Sequence, residues 1–232
     1  MKTLIEENKF YFRLYYHLYR KHRGIKPNWF SRETELYFDG YPRSGNTFLR
    51  HLTREIMPDI IAVHHFHKVA PIKIALEKKL PVYILTRNPK EAITSNYLKH
   101  YALRKIEIPK QINIKLLNNK AVDYLNYYKY VGHHLDQLTL ISFTFLIKNP
   151  EEVVKAIAKK VNSVIDITLI DSAIKSYRGA TDILGSSKPN AFKQKKKEEL
   201  LTELQKTKAY SGAVAVYNDI MEKAEPKYTR LV

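Results

Sequence analysis

The chain has 232 residues, with 40 Lys and Arg against 23 Asp and Glu and no cysteine, a length that suits one domain of mixed architecture. Its 44% hydrophobic and 12% aromatic residues can bury a sizeable core, which excludes wholesale disorder. The missing cysteine excludes a disulfide framework, a thiolate metal site and a cysteine nucleophile. The formal charge of +17 admits three partner classes: nucleic acid, an anionic membrane, or a polyanionic small molecule.

In chain order, MKTLIEENKFYF lacks the apolar core of a signal peptide. Residues 4–23 are predicted as a helix stopped by Gly24 and Pro27, with aromatic residues from Phe10 to Tyr19 interleaved with Arg13, His17, Arg20, Lys21 and Arg23. Such a helix suits a membrane surface. It also suits docking on the domain with snorkelling basic side chains, which is the preferred reading. Glu35–Asp39 reads as a strand, followed by a helix from about Ser44 to Met57, and Ile60–Val63 as a second short strand. Pro71–Lys79 is helical, and Val82–Thr86 is a buried strand. Asn88 is a good N-cap, Pro89 suits the first helical position, and Glu91 completes a capping box. Residues 99–120 read as a basic insertion or lid. Helices at Ala121–His134 and Pro150–Val161 flank a strand at Leu138–Phe145, and the charge block Lys193–Glu199 reads as a solvated helix start.

The apolar runs Leu80–Thr86 and Leu138–Ile147 are too short to span a bilayer. Strands alternating with helices predict a three-layer α/β/α sandwich with a mostly parallel central sheet. One domain over 1–232 is expected, with an amphipathic N-terminal helix within residues 1–30 packed on it, in the cytoplasm.

Two segments point to anion binding. Asp39-Gly-Tyr-Pro-Arg-Ser-Gly-Asn-Thr-Phe48 joins a predicted strand to a predicted helix, the setting in which backbone N–H groups at a helix N-terminus cradle an anion. Gly40 and Gly45 keep P-loop spacing and Thr47 stands at the Ser/Thr position, but Asn46 replaces the expected Lys. The cation instead lies inside the loop, at Arg43. That disfavours a nucleotide kinase, which relies on the missing Lys at the β- and γ-phosphates. The second segment, Val82–Ser95, repeats the strand–turn–helix pattern. Arg87 falls at the carboxyl end of a buried strand, where open α/β sheets bind ligands, and Ser95 lies two helical turns further on. An Arg fork and a Ser hydroxyl suit a dianion.

These residues resemble the sulfotransferases that use 3′-phosphoadenosine 5′-phosphosulfate (PAPS). Tyr41-Pro-Arg-Ser-Gly-Asn-Thr-Phe48 is similar to their 5′-phosphosulfate loop, Y-P-K-S-G-T-T-W. Arg87 and Ser95 keep the interval of their 3′-phosphate motif, R-N-P-K-D-x-x-x-S. Ile141–Leu146 and the segment Lys148–Glu152 resemble a later strand and helix of the family, so the likeness covers about residues 34–165.

The resemblance implies sulfuryl transfer from PAPS to a hydroxyl or amine acceptor, leaving PAP. Arg43 matches the catalytic Lys that stabilises the departing phosphate. Ser44, Gly45, Asn46 and Thr47 surround the 5′-phosphate, largely through backbone N–H groups. Phe48 and Phe143 flank the adenine, and Arg87 with Ser95 holds the 3′-phosphate. Counting back from Arg87 by the interval of the family's cytosolic branch gives His65 as general base. His67 is the alternative, because on a strand the two histidines share a face. Past residue 165 the likeness fades. Lys188 or Lys193 stands for the family's basic pair and Phe192 for its Trp. No metal is implied and no nucleic-acid partner is expected, while peripheral membrane contact stays open. The rival readings are a P-loop kinase and, with 17 tyrosines, a basic nucleic-acid-binding protein.

Overall fold

A computed structural model describes residues 7–23, 29–183 and 191–228. Among the described residues, four strands form one parallel sheet in the order β2-β1-β3-β4. They are β1 (Leu36–Gly40), β2 (Ala62–His64), β3 (Val82–Thr86) and β4 (Thr139–Ser142). The helices whose bounds fall among the described residues are α1 (Lys9–Arg23), α2 (Asn46–Ile56), α3 (Val69–Glu77), α4 (Pro89–Arg104), α5 (Ile114–Gly132), α6 (Phe143–Lys148), α7 (Pro150–Lys160), α8 (Leu169–Ile183), α9 (Ala191–Gln205) and α10 (Lys208–Tyr228).

The layers follow from strand alternation. Tyr37, Val63, Val82, Ile84 and Leu140 share one core with α3, α4 and α5, behind which lie α9 and α10. Leu36, Phe38, Tyr83, Leu85 and Ile141 share a second core with α2, α7 and α8. Successive strand residues therefore face opposite layers. β1 and β3 are buried at every position, which is why β3 reads as a continuous apolar run and β1 is apolar up to Asp39. The three-layer α/β reading holds.

The chain leaves β1 for β2 on one side and places β3 on the other, with α2 and α4 on opposite faces of the sheet. This makes a crevice at the carboxyl ends of β1 and β3, the usual ligand position of an open parallel sheet. The two strands approach closely there. A Cβ on Gly40 would lie 2.3 Å from the Leu85 carbonyl oxygen, so only glycine fits.

Several expected boundaries move. The strand expected over Leu138–Phe145 stops at Ser142, whose hydroxyl caps the short helix α6 by accepting from the Phe145 N–H. A Ser N-cap outweighs the β-propensity of the aromatic residues after it. Helix α3 begins at Val69, since Pro71 in a first turn gives up an N–H that would lack a helical partner anyway. The expected lid shrinks to the loop between α4 and α5, because α4 runs to Arg104 and Asn113 caps α5 by accepting from the Leu116 N–H. Asn88 caps α4 by accepting from the Lys90 N–H. Glu91, expected to complete a capping box, faces Arg87 and Lys197 instead. In the charge block, Lys196 is not solvated: it is buried, and donates to the Lys110 carbonyl and to Glu199. Helix α1 lays Phe12 and Tyr16 against Trp29 and Phe66. Among the described residues no helix is long and apolar enough to cross a membrane.

Candidate functional site

The loop after β1 turns sharply. Arg43 and Gly45 have φ of 75° and 101°, in the left-handed region. Gly45 sits there without steric cost and offers α2 no side-chain cap, leaving the first N–H groups of the helix, at Asn46 and Thr47, at its open end. Asn46 is buried, and its amide donates to the carbonyls of Gly40 and Tyr41. Its side chain therefore stitches the loop together. Ser44 is also buried, its hydroxyl 3.3 Å from that of Tyr128. Tyr128 in turn donates to the Leu85 carbonyl and accepts from the Tyr41 N–H. Tyr124 donates to the Arg87 carbonyl. These tyrosines of α5 brace the loops after β1 and β3 from within the core.

The two arginine segments, far apart in sequence, meet here. Arg43 Nε donates to Ser95 Oγ at 2.9 Å, and Arg87 Nη1 donates to the Arg43 carbonyl at 3.1 Å. The Arg87 guanidinium also lies 4.2 Å from the centre of the Phe143 ring, a cation–π arrangement. Its proton affinity is pulled down by burial and by Arg43, with Glu91 opposing. Lys99 is likewise lowered by burial and by Arg43. Three cations thus converge on one region, an arrangement that favours an anion between them.

A cavity of about 450 Å³ opens between these loops. It is lined by Arg43, Gly45, Asn46, Thr47, Phe48, His65, His67, Arg87 and Phe143 among the expected residues, and by Asn96, Lys99 and Tyr177 among others. Ser44 is not in the lining; Ser95 reaches the cavity through Arg43. Phe48 is largely buried, its ring 4.9 Å from that of Tyr177. Lys188 lies outside the described residues, as do the side chains of Phe192 and Lys193.

The two histidines do not share a strand face, because β2 ends at His64. His65 and His67 both have left-handed φ, 65° and 57°. Both nevertheless line the cavity. Non-glycine residues held in this region mark strain that the surroundings must hold in place. Asp39 does so for His67. It is fully buried at the end of β1 and accepts from the N–H groups of Gly40, Phe66 and His67 and from the Tyr37 hydroxyl. The His67 Nδ1 lies 3.0 Å from Asp39 Oδ1 and 2.7 Å from the Gly40 carbonyl. Two acceptors at Nδ1 make it the N–H, so the neutral ring carries its lone pair on Nε2.

Burial raises the Asp39 carboxyl, yet the His67 charge, the hydrogen bonds from the His67 ring and N–H, and that from the Gly40 N–H leave it below the usual range. Burial lowers His67, but Asp39 and the Gly40 carbonyl leave it above its usual value. His65 differs. Burial first, then His64 and His67, bring it down to about 4. Its Nε2 stands 3.4 Å from Thr47 Oγ1. His65 also borders a second cavity of about 700 Å³, lined by Tyr16, Phe38, Arg50, Arg54, His64 and Phe66 among others.

Asp39, Lys99 and Tyr177 had no role in the sequence reading. An acid closing an otherwise apolar strand was the available signal for Asp39. Lys99 stood in the presumed lid, and Tyr177 lies beyond the motif-bearing segment. Among the described residues, no group of three or more His, Asp or Glu is placed to hold a metal ion.

No protein-family model matches the chain, and no curated protein does. Among solved structures, mouse sulfotransferase SULT7A1 complexed with PAP is similar at 12% identity, over 79% of this chain and 89% of that one, with a TM-score of 0.48. A likeness of that degree leaves the reading of the site to the site's own residues.

Proposed function

We propose that the protein transfers a sulfuryl group from PAPS to a hydroxyl or amine acceptor. The observation that carries this reading is the joining of Arg43 to Ser95 and of Arg87 to the Arg43 carbonyl at one cavity, because these are the residues in which the chain resembles PAPS-dependent enzymes. The cavity fits a donor with two separated anionic ends. The uncapped start of α2 and Arg43 take the 5′ end; Arg87 and Ser95 take the 3′-phosphate. Phe143 presents an aromatic face beside Arg87, and Phe48 with Tyr177 a second one.

PAPS supplies the sulfuryl group: its S–O bond to the 5′-phosphate breaks as a bond from sulfur to the acceptor atom forms. Arg43 exchanges its Ser95 contact for the oxygen that leaves, and neutralises the charge developing there. Such placement of a fixed cation is commonly worth about 3 kcal/mol of barrier. His67 accepts the acceptor's proton at Nε2, and Asp39 stabilises the resulting imidazolium. His65, with its pKa near 4, is the weaker base. It stands between the donor cavity and the second cavity, from which the acceptor reaches the sulfur.

The deciding measurement is a thermal-shift comparison of PAP, ADP and Mg-ATP, followed by transfer from PAPS. PAP raises the melting temperature most, since ADP lacks the 3′-phosphate that Arg87 and Ser95 read. Arg43→Ala keeps most of the PAP affinity and loses transfer. A larger shift with Mg-ATP than with PAP would sink the reading in favour of a kinase.

A further inference from the structure

We propose that the outward face of α1 docks on an anionic lipid membrane. The helix has two unlike sides. Phe12 is buried against Trp29 and Phe66, and Tyr16 packs on the same two rings. Lys9 ion-pairs with Glu77 at the start of the helix. On another side Phe10, Leu14 and Leu18 recur every fourth residue along one stripe, 69%, 48% and 58% exposed, with Tyr11 beside them. A helix held only by its packed side carries polar residues opposite; this one carries large apolar side chains.

The charges beside the stripe select the occupant. Arg13 and His17 are exposed, and the sequence continues with Arg20, Lys21 and Arg23, with no acidic residue between Lys9 and Arg23. A second copy of the chain, joined by a two-fold axis, would set these cations against one another. A lipid surface offers hydrocarbon for the stripe and negative headgroups for its basic border. The formal +17 of the whole chain adds attraction over a Debye length. Tyr16 also walls the cavity that His65 borders, so docking sets that cavity about one helix diameter, ~10 Å, from the lipid.

Vesicle binding needs neither donor nor acceptor, so its outcome is independent of sulfuryl transfer. The full chain is sedimented with phosphatidylcholine vesicles, with and without phosphatidylserine. It binds the phosphatidylserine vesicles and not the neutral ones, and added salt weakens the binding. Replacing Phe10, Leu14 and Leu18 together by Gln lowers that affinity about a hundredfold or more, while the melting temperature stays close to wild type because the three side chains are exposed. Leu14→Gln alone lowers it about tenfold, and Arg13→Gln about fivefold. Failure of the wild-type chain to bind, equal binding to both vesicle types, or wild-type binding by the triple variant overturns the proposal. So does a dimer in light scattering that the triple variant abolishes, which would assign the face to a second copy.

Discussion

At the scale of single residues, the site turns on a carboxylate buried under a histidine. Asp39 accepts four hydrogen bonds besides facing His67, so its charge is compensated only while those donors stay in place. Asp39→Asn puts an NH₂ among N–H donors and leaves His67 buried without its counter-charge. Breaking a buried pair from one side typically costs about 3 kcal/mol, to be read from urea unfolding, and transfer falls with it. An unchanged midpoint would show that the pair contributes nothing. The neighbouring histidines set an acid response. Burial first, then Arg50 for His64 and His64 for His65, holds both near pKa 4, below the unfolded value of about 6.5. The unfolded chain then binds more protons between those values, so their part of the stability falls as pH drops from about 6.5 to about 4. His67, raised by Asp39, acts oppositely. Its contribution is complete below the unfolded value and is lost as pH rises through its folded one. Asp39, held low, contributes above about 3.9 and fades below that. His100 is lowered too, by burial and by Arg104 and Lys120, so three lowered histidines against one raised make the urea midpoint lower at pH 5 than at pH 7. His65→Gln narrows that gap; an equal gap in the variant would assign the slope to other groups.

At the scale of elements, strand edges and caps position the chemistry. β3 was legible to the residue at Val82–Thr86, because burial on both faces makes a continuous apolar run bounded by Pro81 and Arg87. The turns after β1 and β3 were legible because glycine, arginine and a cap stand where a strand gives way to a helix. β4 was not, since aromatic residues after Ser142 look the same in a strand and in the capped helix α6. The histidine backbone was hidden for a related reason. Left-handed φ at His65 and His67 comes from Asp39 pulling in the N–H groups of Phe66 and His67, a tertiary cause with no local signature. Two of the tyrosines, Tyr124 and Tyr128, brace loops by donating to the Arg87 and Leu85 carbonyls, a role that composition does not signal. Gly40 tests the strand junction. With 2.3 Å between its would-be Cβ and the Leu85 oxygen, Gly40→Ala pushes β1 from β3 and costs about 3 kcal/mol, measured by unfolding. Gly45→Ala meets φ of 101° and Phe143 at 3.1 Å. Left-handed backbone costs a non-glycine residue about 1–2 kcal/mol, and the displaced loop weakens PAP binding in a titration.

At the scale of the whole molecule, the charge that opened three partner classes acts as a field. Arg43, Arg87 and Lys99 converge on the cavity between the two loops, and burial together with repulsion from Arg43 lowers Arg87 and Lys99. An incoming polyanion relieves that repulsion, and the remaining excess of Lys and Arg over Asp and Glu draws it from a distance. Cations that steer a ligand change the rate of encounter, whereas those that touch the reacting atoms change the step after binding. The two separate in the salt dependence of catalysis. Raising ionic strength from about 0.01 M to about 0.1 M shortens the screening length from about 30 Å to about 10 Å. If the cavity takes PAPS as proposed, kcat/KM for PAPS then falls several-fold, while kcat at saturating donor holds nearly constant, because Arg43 and the start of α2 would act within contact distance. Lys99→Gln makes the salt slope of kcat/KM shallower with little change in kcat; Arg43→Ala lowers kcat at every salt concentration. A flat kcat/KM across that range would mean that the excess charge does not guide the donor, and would leave the basic surface to the membrane contact of α1.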